Sequence, residues 1–159
     1  MSAVPQVAPV EFAREQAGPI FDEIKPLLRA HFEEIAYYRD IPLNPDYGRY
    51  FEAEHHGWLR IYTARTAGCL IGYAIYFVRP SLHYRDSLQA HQDILYLAPE
   101  HRKGGSGMRL IRFADRALAD ESVQVVIQHV KARADLNFGP LLERMGYELM
   151  DQLYTRRLD

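Results

Sequence analysis

The chain is poor in cysteine: Cys69 is the only one in 159 residues. An internal disulfide is therefore impossible and a cysteine-based zinc cluster is excluded, which fits a reducing cytosol. It also lacks charge of one sign. Nineteen Lys and Arg against 21 Asp and Glu leave a net charge of −2, so no general field exists to capture nucleic acid or an anionic membrane. No apolar run approaches the ~18 residues of a membrane span, and Met1 to Val10 has neither the basic region nor the apolar stretch of a signal peptide. These absences predict a cytoplasmic protein with no nucleic-acid or membrane partner. Internal repeats and low-complexity linkers are missing as well. What is present is a globular composition, 48% hydrophobic and 25% charged, enough for a sizeable core. The length suits one domain, residues 1–159, on a scale of about 100 to 200 residues per domain.

Periodicity divides the chain into elements. A short strand is expected from about Val7 to Phe12. Ile20, Phe21, Ile24, Leu27, Leu28, Phe32 and Ile35 recur at helical steps, and Pro26 within that run predicts a kink or a late helix start. Ala36 to Leu43 has no clear period and reads as a loop. Asn44-Pro45 reads as a cap and first helical position, with Gly57 as the stop, so a second helix is expected over 45–56. Its aromatic stripe is Tyr47, Tyr50 and Phe51. Trp58 to Arg65 and Cys69 to Val78, separated by Thr66-Ala67-Gly68, read as an antiparallel hairpin. Leu88 to Leu97 reads as a longer strand, with alternation placing His91, Asp93, Leu95 and Leu97 on one face and Gln92, Ile94 and Tyr96 on the other. A helix over 105–119, a β-branched strand from Val123 to Val130, a short helix from about Phe138 to Met145 and a terminal strand within Tyr147 to Leu158 complete the pattern.

The segment from Leu95 to Gly107, LYLAPEHRKGGSG, carries the chemistry. A strand ends, a glycine-rich turn follows, and a helix begins, which makes an anion cradle. Glycines let backbone N–H groups approach a phosphate, the helix N-terminus adds partial positive charge, and Arg102 and Lys103 add formal charge. A pyrophosphate-bearing ligand is expected. The nucleotide P-loop would need a Gly-Lys-Ser/Thr ending, and the dinucleotide fingerprint a third glycine where Leu110 stands, so both fit worse.

The pattern Leu95-Tyr96-Leu97-x-Pro-Glu-x-Arg-x-x-Gly-x-Gly resembles motif A of the GCN5-related N-acetyltransferases (GNAT), with Arg102, Gly105 and Gly107 at its signature positions. The order of elements is similar too, and Met145-Gly146-Tyr147 resembles the family's late Gly-aromatic pair. The resemblance implies an α/β (α+β) fold: one domain with a mixed central sheet of about six or seven strands and about four helices. It implies acetyl-CoA as cosubstrate, without a metal, for direct acetyl transfer to a primary amine of a small molecule or protein. The implied cofactor contacts are the backbone of Leu95, Tyr96 and Leu97 for the pantetheine arm, the amides of Arg102, Lys103, Gly104, Gly105, Ser106 and Gly107 for the pyrophosphate, and Asn137. A homodimer is a further partner state to be tested.

Aligned on Gly146, the family's thiolate-protonating tyrosine falls on Leu142, which cannot supply a proton, leaving Tyr147 or Tyr154 as substitutes. The family's asparagine falls on Asp135, with Asn137 nearest. His91 stands where several members carry a catalytic glutamate, and Asp93 lies two residues on. These two are the candidate bases, with a carboxylate neighbour expected to raise the histidine's pKa. Tyr37, Tyr38, Tyr47, His83 and Tyr84 fall where an acceptor pocket forms in the family. His55 and His56, adjacent on a helix, point about 100° apart and read as a solvated helix end rather than a metal site. The alternative to an enzyme is a non-catalytic CoA- or protein-binding module on the same scaffold, including a component of a virion or other complex.

Overall fold

A computed structural model describes residues 8–133 and 135–159. Among these residues one sheet has five strands in the order of the chain: β1 (Val10–Glu15), β2 (Leu59–Thr66), β3 (Cys69–Pro80), β4 (Leu88–Leu97) and β5 (Val125–Ile127). The first four pair antiparallel, and β5 runs parallel to β4. The helices are α1 (Ala17–Ile35), α2 (Tyr47–His55), α3 (Ser106–Asp120) and α4 (Gly139–Arg144). No helix among the described residues is long and apolar enough to cross a membrane.

Both sheet faces are covered. Ile20, Phe21 and Ile24 of α1 and Ala53 of α2 pack on Leu59, Ile61, Tyr73, Ile75 and Tyr96. On the opposite face Leu110, Ala114 and Leu118 of α3 pack on Tyr62, Ala64, Ala74, Tyr76 and Ala90. Alternation sends successive strand side chains to opposite faces, so β3, covered on both, is apolar apart from Gly72 from Leu70 to Val78.

Local chemistry sets the boundaries. Thr66 pairs with Cys69, so the β2–β3 turn is the two residues Ala67 and Gly68, both at positive φ, rather than three; this twist matches that of the flanking strands. The expected strand from Val7 lies three residues later, and Val7 itself is outside the described residues. Pro26 neither delays nor ends α1, because its buried first turns at Ala17, Ile20, Phe21 and Ile24 anchor the start while the proline lies on the exposed side. Helix α2 starts at Tyr47 rather than 45, since the Asp46 carboxylate, not Asn44, caps it by accepting from the Arg49 N–H at 3.2 Å.

Two expected strands are corrected. Val123 to Val130 forms a strand only over Val125–Ile127, because β4 offers it a partner only at Gln89, Ala90 and His91. Beyond that the His129 N–H bonds the Gln92 Oε1 atom instead of a strand backbone, at 2.9 Å. Tyr147 to Leu158 is not a strand: the segment has no regular backbone pairing, and Leu149, Met150, Leu153, Tyr154 and Leu158 are exposed. The sheet therefore has five strands, not six or seven.

The chain forms two compact units, Met1–His129 and Val130–Asp159. The second contains α4, which ends at Gly146 with φ +95°, where the Tyr147 N–H returns to the Leu142 carbonyl at 3.0 Å.

Candidate active site

The site begins with an irregularity in β4. Ile94 pairs with Ile75, but Gln92 pairs with Tyr76, so Asp93 is an extra residue bulged out of the ladder. A bulge reverses the side-chain alternation beyond it. Leu88 and Ala90 before the bulge, and Leu95 and Leu97 after it, all face α3. His91 pairs with Phe77, whose ring belongs to the α1/α2 side. The expected common face of His91, Asp93, Leu95 and Leu97 is thus corrected: the bulge separates His91 from the two leucines.

Asp93 instead receives a hydrogen bond at Oδ2 from the Tyr50 hydroxyl of α2. Burial, reinforced by that bond, holds the Tyr50 phenol well above its ordinary pKa, so it stays protonated. The neighbours acting on His91 are different. Partial burial, followed by His129 and Arg79, pushes its imidazole below the ordinary value. The expected rise is therefore corrected as well, because burial leads and the neighbours that act on the ring, His129 and Arg79, push in the same direction.

Around Asp93 lies an open cleft of about 450 Å³. Phe32 of α1, Tyr37, Ile41 and Leu43 of the connecting loop, Tyr50 of α2 and Ile94 of β4 are among its walls. Tyr37 and Tyr38 meet edge to face with centroids 5.0 Å apart. Of the other expected pocket residues, Tyr47 packs on Phe21 at 5.3 Å, while His83 and Tyr84 are exposed between β3 and β4.

The second part of the site is the open edge of β4. Its pairing with β5 ends at His91, so among the described residues β3 is the one strand paired with β4 from Gln92 to Leu97. Alternate backbone groups on the other side have no strand to bond and are available to an extended ligand. At the end of this edge a short 3-10 turn, Pro99–His101, leads into Gly104 and Gly105 with φ +87° and +80°. A Cβ at Gly104 would meet nothing within 4 Å, so glycine is needed there for its backbone conformation. Gly105 caps α3, a helix of fifteen residues with no acidic side chain in its first turn. The leading amides of Ser106, Gly107 and Met108 have no carbonyl partner within the helix and suit an anion. The Ser106 hydroxyl accepts from Arg109 Nη2 at 3.0 Å. Lys103 is exposed on the turn. From Gly104 to Met108 the segment fits a pyrophosphate: it offers backbone donors and space, and its nearest carboxylate in the chain, Glu100, lies back in the 3-10 turn.

Arg102 is differently occupied. Its Nε donates to the Leu97 carbonyl at 2.8 Å, its two terminal nitrogens form a forked pair with Glu34 of α1 at 2.6 and 2.7 Å, and its guanidinium lies 5.8 Å from the Tyr96 ring centre. It braces the end of β4 against α1 with its charge already balanced. Sequence reasoning missed both Glu34 and the role of Tyr50. Each meets its partner from a distant part of the chain, and no local pattern announces either contact.

In the second unit the Asn137 Oδ1 accepts from the Gly139 N–H at 2.8 Å, and Asp135 pairs with Arg133 at 2.7 Å. Leu142 lies on α4, and the Tyr154 hydroxyl donates to Gln152 at 3.1 Å. Among the described residues no three His, Cys, Asp or Glu side chains gather into a metal-sized cluster. His56 stacks on Trp58 with centroids 4.9 Å apart.

A sequence model of the acetyltransferase (GNAT) family matches residues 21–147. No curated protein matches the chain. Among solved structures, a ribosomal-protein-alanine N-acetyltransferase from Brucella melitensis is similar at 20% identity and TM-score 0.70, covering 95% of this chain and 100% of that one. An aminoglycoside acetyltransferase from an uncultured soil metagenomic sample is similar at 12% identity and TM-score 0.73, covering 95% and 99%. A predicted acetyltransferase from Clostridium acetobutylicum, solved with acetyl-CoA, is similar at 14% identity and TM-score 0.67, covering 94% and 97%. At these identities the likeness is one of fold.

Proposed function

The chain belongs to the GNAT acetyltransferase family, and from that premise we propose that it is an acetyl-CoA-dependent N-acetyltransferase acting on a primary amine of a small molecule or protein. One observation carries this reading: the unpaired edge of β4 runs directly into two left-handed glycines at the N-terminus of α3. An extended arm ending in a pyrophosphate matches that sequence of donors. The family match crosses both compact units, which supports a single acetyltransferase domain over 1–159.

When bound, acetyl-CoA supplies a thioester carbonyl activated toward an amine. The backbone of Leu95, Tyr96 and Leu97 aligns the pantetheine arm, and the amides of residues 103–107 hold the pyrophosphate with Lys103 adding charge; the expected Arg102 amide contact is corrected, because that N–H donates to the Pro99 carbonyl at 3.2 Å. Arg102 keeps the turn in place. Asn137 is assigned a cofactor contact by resemblance alone, since its Oδ1 already serves Gly139. Asp93 receives the amine, and His91, kept neutral by its surroundings, takes a proton from it through water. Cytoplasmic placement and a homodimer remain part of the proposal.

The test is thermal melting with acetyl-CoA. A ligand that binds only the folded chain stabilises it by about 2.7 kcal/mol at ~100 times its dissociation constant. Gly105→Val, forced into a left-handed conformation, should lose that stabilisation while circular dichroism reports the fold. Full retention of binding by a folded Gly105→Val protein rejects the cradle.

A further inference from the structure

We propose that the acceptor is a small primary amine bearing a single positive charge on an apolar or aromatic body, seated in the cleft between α1, the 36–46 loop and β4 with its ammonium on Asp93. The inference rests on the acetyltransferase reading and adds the substrate class to it.

Charge count is the first argument. Asp93 is the one carboxylate among the residues lining the cleft, and the rest of the wall is apolar, aromatic or uncharged. One carboxylate offsets the desolvation of one ammonium; a second or third ammonium would lie against Phe32, Ile41 or Leu43 without compensation. The adjoining depression shares Leu28, Leu43 and Pro45 with the cleft and carries Arg29 and a Lys25 already paired with Asp22 at 2.6 Å, so its lining adds no carboxylate for further positive charge. Polyamines and aminoglycosides are disfavoured on both grounds.

The second argument is the apolar surface left at the mouth. Tyr37 is 72% exposed and Ile41 50% exposed, large side chains that a ring or alkyl chain would cover. A cleft of about 450 Å³ lies within the range of about 300 to 1,000 Å³ usual for small-molecule sites.

The third is the aim of Asp93. Tyr50 engages Oδ2, which orients the carboxylate and leaves Oδ1 for an ammonium. The next residue, Ile94, begins the β4 edge assigned to the acyl donor, so a nitrogen held on Asp93 lies beside the reacting carbonyl. There the ammonium gives one proton to solvent, its lone pair forms the C–N bond as the C–S bond breaks, and its second proton passes through water to His91 while CoA leaves as the thiolate.

The experiment compares 2-phenylethylamine, spermidine, kanamycin and an unblocked peptide as acceptors, following CoA release at saturating acetyl-CoA. The expected kcat/KM for 2-phenylethylamine exceeds the others by about 10-fold or more, and Ile41→Asp lowers it by about 10- to 100-fold while acetyl-CoA still raises the melting temperature. Preference for spermidine, kanamycin or the peptide overturns the inference and leaves the acetyltransferase reading standing. Calorimetry of 2-phenylethylamine with the chain separates the opposite case. Binding that is lost in Asp93→Asn, without turnover of any amine and without an acetyl-CoA melting shift, supports the cleft assignment and rejects the acetyltransferase reading. No binding and no turnover of 2-phenylethylamine overturns the inference.

Discussion

Tyr50 and Asp93 are 43 residues apart and share one hydrogen bond, which joins the short second helix to the bulge of the fourth strand. Because the phenol stays protonated, it is a fixed donor that sets the direction of the carboxylate. Tyr50→Phe should keep the ring stacked near Phe77, now 5.8 Å away, but release Asp93. The expected result is a rise in KM for the amine of about 10- to 150-fold, from loss of a hydrogen bond to a charged group worth about 1.5 to 3 kcal/mol, with acetyl-CoA affinity unchanged. Steady-state kinetics with both substrates varied checks this.

His91 should behave differently. Its imidazole lies below its ordinary pKa because of burial, His129 and Arg79, so its neutral form prevails at pH 7. The rate at saturating acetyl-CoA should rise with pH and level off below about 6.5, the unperturbed value. His91→Ala should lower kcat by about 10²- to 10⁴-fold and abolish that limb of the profile. An unchanged profile in His91→Ala assigns the proton to another acceptor.

Gly72 on β3 has no room for a side chain: a Cβ there would lie 2.6 Å from the Tyr96 carbonyl and 2.7 Å from Leu97 Cδ1. Gly72→Ala must push β4 away just where it enters the cradle. A loss of about 1 to 3 kcal/mol is expected from overpacking, measured by urea unfolding, together with weaker acetyl-CoA binding in the folded fraction.

Stability should fall at both ends of the pH scale. Glu15 and Glu23 are held below the usual carboxylate range, chiefly by hydrogen bonds from Arg65, and Glu121 by one from Arg60. Their contribution is present above the unfolded value of about 4.3 and is lost as pH drops through the lower folded values. Burial pushes the Tyr62 phenol up to about 12 and raises Tyr73 and Tyr76. Raised groups stabilise fully below the unfolded value near 10 and lose that contribution as pH climbs through the folded ones. Melting curves across pH, with tyrosinate absorbance at the alkaline end, check both limbs; Arg65→Met should blunt the acid one.

The strand, glycine turn and helix start proposed as the cradle were legible because everything that makes them is local, within thirteen residues from Leu95 to Gly107. The bounds of β4 were equally legible. Its bulge was not, since one inserted residue leaves a short alternating pattern looking unbroken while reversing every side chain beyond it. The length of β5 also escaped, because Val123 to Val130 records a capacity to extend and only the neighbouring strand decides how much of it is used. Tyr50–Asp93 and Arg102–Glu34 depend on tertiary placement, so neither shows in any window of sequence.

The forked pair of Arg102 and Glu34 makes one mechanical joint of two binding regions. Glu34 stands two residues beyond Phe32, a wall of the acceptor cleft, and Arg102 opens the turn assigned to the cofactor. Force applied at the turn is therefore delivered to the last turns of α1, and a bulky acceptor wedged against that helix pulls on the turn in return. On the proposed assignments the two ligands bind across one joint, and the expected outcome of Glu34→Gln is that their two affinities vary independently, which calorimetry of each with and without the other checks.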